Sequence, residues 1–176
     1  MSPRPGSNND QAVALRTSGN KSAFYNCAFY GFQDTLYDHA GFHYFKECYI
    51  RGIVDFVFGN GRSLYEGCTL ESIAENVGYT TAQSRPSLAT ETGFSITNSR
   101  VIGSGQVYLG RPWDAFSRVI FSYTNMENIV LPQGWDGTMG KDYHLLVFLA
   151  RLHTTGNINV VDLEPTLLQE LHGFTD

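Results

Sequence analysis

From residue 23 onward the chain alternates apolar and polar positions in short runs that end at Gly, Asn or Asp, a pattern of strands and turns and not of helices. The runs resemble one another. "AFYNCAFYG" (23–31), "YFKECYIRG" (44–52) and "SLYEGCTLES" (63–72) share an aromatic or apolar residue ahead of a cysteine and another two positions after it. Cys27, Cys48 and Cys68 therefore follow one another at nearly equal steps. "FSITNSRVIGS" (94–104) and "VIFSYTNMEN" (119–128) continue the series with Ser99 and Thr124 in the cysteine slot. So short a period leaves no room for a unit with its own core, and successive units must stack. The pattern predicts an all-β solenoid, a parallel β-helix one chain thick. Leucine-rich repeats share the period but need a Leu-x-x-Leu-x-Leu signature that is missing. Between residues 73 and 93 the spacing stretches, which predicts a longer loop leaving the coil. Near the end, "YHLLVFLARL" (143–152) reads as a buried strand, and "EPTLLQELH" (164–172) as a short C-terminal helix with Leu167, Leu168 and Leu171 on one side.

Composition narrows the functions open to such a coil. With 42% hydrophobic and 16% charged residues the 176-residue chain suits one soluble domain. A net charge of -5 and twelve scattered basic residues give no support to a nucleic-acid binder. No apolar run is long enough to cross a membrane, and "MSPRPGSNND" lacks the apolar stretch of a secretory signal. Cys27, Cys48 and Cys68 form no C-x-x-C and have no His at ligand spacing, so no metal site is expected; they read as a ladder of small buried residues. Asn20-Lys21-Ser22 is a glycosylation triplet, relevant only in a secreted protein.

The repeat also sets two carboxylates against each other. Asp34 lies seven positions after Cys27 and Asp55 seven after Cys48, so if the cysteines stack, so do the aspartates. Carboxylates on neighbouring strands, roughly 5 Å apart, resist ionising together, so one keeps its proton while the other stays charged. That supplies an acid and a nucleophile or base from one residue type, and the titration belongs to the pair. The alternative is a pair of turn aspartates, each bonding its own backbone. The apolar flank of "GIVDFVFGN" (52–60) makes an unpaired carboxylate at Asp55 expensive. Strict strand alternation would send Gln33 and Asp34 to opposite faces, so a bend is required there if both serve one site.

"QAVALR" (11–16), "QDTLY" (33–37), "DFVFGN" (55–60) and "LGRPW" (109–113) together resemble four signature segments of carbohydrate esterases of the pectin methylesterase type, the plant branch in particular. The resemblance runs from about Asn9 to Trp135. It implies a right-handed parallel β-helix that hydrolyses methyl esters of galacturonate units in pectin without metal or cofactor. By motif, Asp55 resembles the nucleophile, Asp34 the general acid and then base, and Gln33 the stabiliser of the oxyanion. Gln11 resembles a second amide near the substrate, and Arg111 and Trp113 the substrate-binding pair. The chemistry is coherent: an amide N–H stabilises the developing oxyanion without adding an acid, and a guanidinium beside Asp55 keeps it ionised. Aromatic faces suited to a sugar ring are expected at Trp113 and, in principle, at Phe56, Tyr37 and Trp135. Tyr37 and Phe58 occupy matching rungs and are expected to stack in the scaffold. Gln11 and Gln33 also fit an amide ladder between coils, Arg111 a structural ion pair, and Trp113 a core cap.

The resemblance further implies methylesterified homogalacturonan as substrate, an inhibitory protein as a further partner, and secretion to the plant cell wall. A domain of this family is nearly twice as long. The expectation is therefore a single partial domain over 1–176, truncated at its N-terminal end, with 141–176 divergent. Two other readings stay open: a β-helical glycosidase acting on pectin, since two carboxylates about 5 Å apart also suit a retaining mechanism, and a non-catalytic fragment that keeps the motifs.

Overall fold

The computed structural model describes residues 11–137 and the strands at 146–150 and 153–154. In chain order the strands are β1 (Leu15–Thr17), β2 (Ser22–Tyr25), β3 (Ala28–Tyr30), β4 (Leu36–Asp38), β5 (Phe42–Lys46), β6 (Tyr49–Gly52), β7 (Val57–Gly59) and β8 (Arg62–Glu66). They continue as β9 (Thr69–Gln83), β10 (Gly93–Thr97), β11 (Arg100–Gly110), β12 (Arg118–Ser122), β13 (Asn125–Met126), β14 (Leu146–Ala150) and β15 (His153–Thr154). All pairings among these strands are parallel. One sheet runs β14-β12-β10-β8-β5-β2; the other runs β1-β4-β7-β9-β11-β13-β15, with β3 and β6 joined to it through β9. The chain thus winds as a parallel β-helix, as its repeat predicts, with the right-handed sense that the family resemblance implies. The helix expected over 164–172 lies outside the described residues; β14 falls inside the strand expected over 143–152.

The cysteine slot explains how each coil turns its corner. Asn26, Glu47, Asn98 and Tyr123 adopt positive φ (52°, 54°, 50° and 48°), and Gly67 does the same at 64°. Each stands immediately ahead of Cys27, Cys48, Ser99, Thr124 or Cys68. The slot side chain then donates back across that turn to the carbonyl two positions earlier: Cys27 to Tyr25, Cys48 to Lys46, Cys68 to Glu66, Ser99 to Thr97 and Thr124 to Ser122. Cys, Ser and Thr are interchangeable here because each brings one small donor. All three cysteines are free thiols.

Inside the coil, rungs repeat aromatic on aromatic. Phe24, Phe45 and Tyr65 stack with centroids 4.9 and 4.7 Å apart and nearly parallel rings, and Phe94 closes the column edge-on. Such pairs contribute about 0.5–1.5 kcal/mol each beyond the area they bury. Aliphatic rungs of Leu36, Ile50, Leu70, Ile96 and Val101 complete the core. A polar knot interrupts it: Asp38 accepts from His43 Nδ1 (2.5 Å) and from the Tyr65 hydroxyl (2.6 Å), while His43 Nε2 lies 3.0 Å from the Gly19 carbonyl.

The loop expected over 73–93 is corrected by the structure. β9 continues through Gln83, and only 84–92 lies outside strands. The extra length is split in two. Gly52 to Val57 in one coil corresponds to Ser72 to Thr81 in the next, a longer path whose excess surfaces at the exposed positions 75–77, with pairing to β11 resumed at Val77. The 84–92 segment is tied down by buried Arg85, which donates to the carbonyls of Thr90 and Leu88. The stretched spacing therefore reflects a lengthened strand followed by a short loop.

Candidate active site

The second corner of two successive coils carries the carboxylates. β6 and β7 both pair with β9, which runs straight through; in the coil below, the same path is broken at 53–56, with Asp55 at φ 50°. One coil lower the break falls at 31–35, with Asp34 at φ 59°. Asp tolerates left-handed backbone better than most residues, and strain of this kind persists where the surroundings enforce it. The turn also resolves the alternation problem, because the left-handed residue breaks the strand period between Gln33 and Asp34. The pairings Gln33↔Val54 and Leu36↔Val57 hold one offset through the corner, so Asp34 stacks directly on Asp55, one strand spacing of about 4.8 Å away. The Asp34 N–H donates to the Val54 carbonyl at 3.0 Å.

Arg111 reaches this pair from two coils farther along. It leaves the end of β11, where its N–H donates to the Thr81 carbonyl, and its guanidinium forks onto Asp55 alone. Nε lies 2.9 and 3.2 Å from the two carboxylate oxygens, and the terminal nitrogen 2.5 Å from one of them. Asp55 is fully buried and Asp34 is 3% exposed, yet Asp34 Oδ1 has no hydrogen-bond partner. Stacked carboxylates of identical chemistry are thereby made unequal.

The electrostatics follow that asymmetry. Burial and the neighbouring charge of Asp55 push the Asp34 carboxyl from 3.8 up to about 6, against a smaller lowering by Arg111. Burial also raises Asp55, and the hydrogen bonds and charge of Arg111, with a hydrogen bond from Trp113, pull it back part of the way. The expectation that Arg111 favours the ionised form of Asp55 holds in direction, but desolvation outweighs it in the net shift.

The remaining expected residues divide. Gln11 bridges to Gln33, which bridges to Val54, so the backbones of both residues belong to the rungs beside the pair; Gln11 is exposed and Gln33 half-buried. Trp113 is 45% exposed, available to a ligand. Tyr37 and Phe58 stack at 4.5 Å as their matching rungs predict. Phe56 is corrected: it is fully buried in the core and offers no face. Trp135 is also not a free platform, since it packs half-buried against the core beside Phe121. Among the described residues no cluster of His, Cys, Asp and Glu is arranged to hold a metal ion.

Two residues escape the sequence reasoning. The Tyr79 ring lies under the Arg111 guanidinium, 4.8 Å from centroid to Cζ, and the Tyr79 hydroxyl faces the buried Asp136; burial, and then that carboxylate, raise the phenol pKa. A partial signal for Asp136 exists in the repeat: Arg100 pairs with Asn125 and Gly110 with Trp135 at one offset, although Val107 pairs with Val130 at a shorter one between them, and the longer step from Arg111 reaches Asp136. Tyr79 has no comparable signal.

The family model described as Pectinesterase matches residues 2–158. "Probable pectinesterase 8" of Arabidopsis thaliana is 41% identical over 162 residues, covering 88% of this chain and 41% of the relative. The solved structure "Pectin methylesterase from Carrot" superposes with a TM-score of 0.84 at 30% identity, covering 94% of this chain and 58% of that one. A pectin methylesterase in complex with a hexasaccharide gives a TM-score of 0.76 at 30% identity, covering 91% of this chain and 58% of that one. This chain therefore spans about two fifths of the length of the curated relative. Signature, coil and comparisons agree, and the chain belongs to the pectinesterase family.

Proposed function

We propose that this chain forms part of a single catalytic domain that removes methyl esters from galacturonate units of pectin. The observation that carries the reading is the inequality of the stacked aspartates: Arg111 forks onto Asp55, while Asp34 keeps an unpartnered oxygen and a raised pKa. An Asp55 oxygen attacks the ester carbonyl, whose electron pair moves to oxygen; amide N–H groups of Gln33 and Gln11 stabilise that charge. The tetrahedral intermediate collapses as Asp34 protonates the departing methoxide, giving methanol and an acyl-Asp55 anhydride. Water then attacks the acyl carbon, Asp34 takes one of its protons, and the galacturonic acid leaves with Asp55 restored as carboxylate, losing its remaining acidic proton to solvent. Arg111 and Trp113 hold the substrate, with the indole against the sugar ring. No step needs a cofactor.

The proposed substrate is methylesterified homogalacturonan, the proposed location the plant cell wall after secretion, and an inhibitory protein a further partner. The test is methanol release from methylated pectin by the full-length protein containing this segment. Asp55→Asn is expected to abolish it; turnover retained in that variant removes the nucleophile. Production of new reducing ends in place of methanol replaces the esterase by a glycosidase. A folded wild-type protein that does neither leaves a non-catalytic fragment.

A further inference from the structure

Arg111 is the group that distinguishes Asp55 from Asp34, so whatever holds Arg111 sets that distinction. A guanidinium on a flexible stem is fixed only if its face and its edges are both occupied. Its edge lies on Asp55 and its face on the Tyr79 ring. Tyr79 is itself held from both sides. Tyr108 stacks on it at 5.4 Å with rings nearly parallel, and the Tyr79 hydroxyl faces the Asp136 carboxylate, whose charge adds to burial in raising the phenol pKa. Asp136 is 6% exposed and anchored by its backbone, its N–H donating to the Gly110 carbonyl at 3.1 Å, next to Arg111 in the chain. Tyr79, Arg111 and Asp136 thus come from three successive coils. Beyond Asp55, the Asp136 carboxylate also adds a favourable charge at Arg111.

We propose that Asp136 and Tyr79 are positioning residues: through one hydrogen bond they clamp the Tyr79 ring beneath Arg111 and so keep its fork on the nucleophilic carboxylate. This rests on the esterase reading. Among the described residues the charged and titratable groups facing the clamp are Asp55, Asp34, Arg111, Asp136, Tyr79 and Tyr108, and of these Arg111 links the clamp to the reacting carboxylate.

The experiment measures kcat and KM for methanol release in the full-length protein carrying Asp136→Asn, Tyr79→Phe, the pair together, and each in an Arg111→Lys background. Tyr79→Phe keeps the ring and removes only the hydroxyl, so it tests the link even if Asp136→Asn fails to fold, which circular dichroism reports. Each single variant is expected to lower kcat about tenfold, with KM within about twofold, because a misaligned group costs rate before it costs binding. The pair together is expected to lose no more than either alone, and neither should cost anything further once Arg111 is Lys. Multiplying losses, an unchanged kcat in folded variants, or a raised KM with kcat intact overturns the clamp. If Asp55→Asn is dead while these variants are normal, the clamp alone has failed; if Asp55→Asn still releases methanol, the nucleophile assignment has failed; and if the wild type releases no methanol, the esterase reading itself has failed.

Discussion

Asp34→Asn is expected to stabilise the protein at neutral pH while removing its acid and base. In the native state Asp34 is 3% exposed, and burial together with the charge of Asp55 raises its carboxyl from 3.8 to about 6. Below pH 3.8 the carboxyl is protonated in both folded and unfolded chains and has no effect on the balance. Between 3.8 and about 6 the unfolded chain releases the proton while the folded chain keeps it, so stability falls as pH rises; above about 6 the loss is complete. The displacement corresponds to about 3 kcal/mol. Asn has no proton to lose, nearly the same shape, and tolerance for the left-handed backbone at φ 59°. Any constant difference between the two side chains cancels when two pH values are compared. Urea unfolding of wild type and variant near pH 4 and pH 7.5 should show the variant's relative stability growing by about 2–3 kcal/mol with rising pH. A difference that stays flat, or grows in favour of wild type, refutes the assignment of a raised native pKa to Asp34.

Arg111→Lys replaces a fork by a point charge against fully buried Asp55. The methanol assay should show kcat/KM lower by about 10²–10³, and the acid limb of its pH profile should move to higher pH, since Arg111 normally pulls the Asp55 carboxyl down. His43→Leu leaves Asp38 buried without its cationic partner and should cost about 3–5 kcal/mol in unfolding experiments with KM unchanged. Asp38 raises the His43 pKa above 6.5, though burial opposes it. The wild-type ion pair is therefore at full strength below 6.5 and fades as pH climbs through the higher native value, which paired unfolding curves at pH 6 and pH 9 would display.

Much of this is legible because the coil keeps count. The nearly equal steps between Cys27, Cys48 and Cys68 reproduce the pairing of β3, β6 and β9, and the same count carries Asp34 onto Asp55. Counting fails where the register slips. β9 and β11 pair Ile73 with Ser104 but Val77 with Gln106, a shorter offset on the far side of the irregularity, so no fixed period leads from Arg111 to the ring beneath it. Side-chain reach is equally invisible to a period. Tyr79 meets Asp136 across an intervening coil, and Phe56, beside Asp55 in the chain, points wholly into the core, while Trp113 two positions from Arg111 faces solvent. Alternation requires a bend or bulge between Gln33 and Asp34 if both serve one site, but that it takes the form of a left-handed residue at Asp34 is visible only in the structure.

The straight run of β9 past a corner that the preceding coils bend around has a consequence for how this scaffold tolerates change. Residues 75–77 and 84–92 absorb surplus chain at the periphery, and pairing resumes beyond each excursion. Descendants can lengthen those excursions freely without displacing either acid. Within β5 and β6, which lie between the two acids, no such slack exists, since a residue inserted inside a strand would flip the side chains that follow it there to the wrong side of the sheet. Insertions should accumulate along the rim of such lineages and be purged from the strands that separate the two acids.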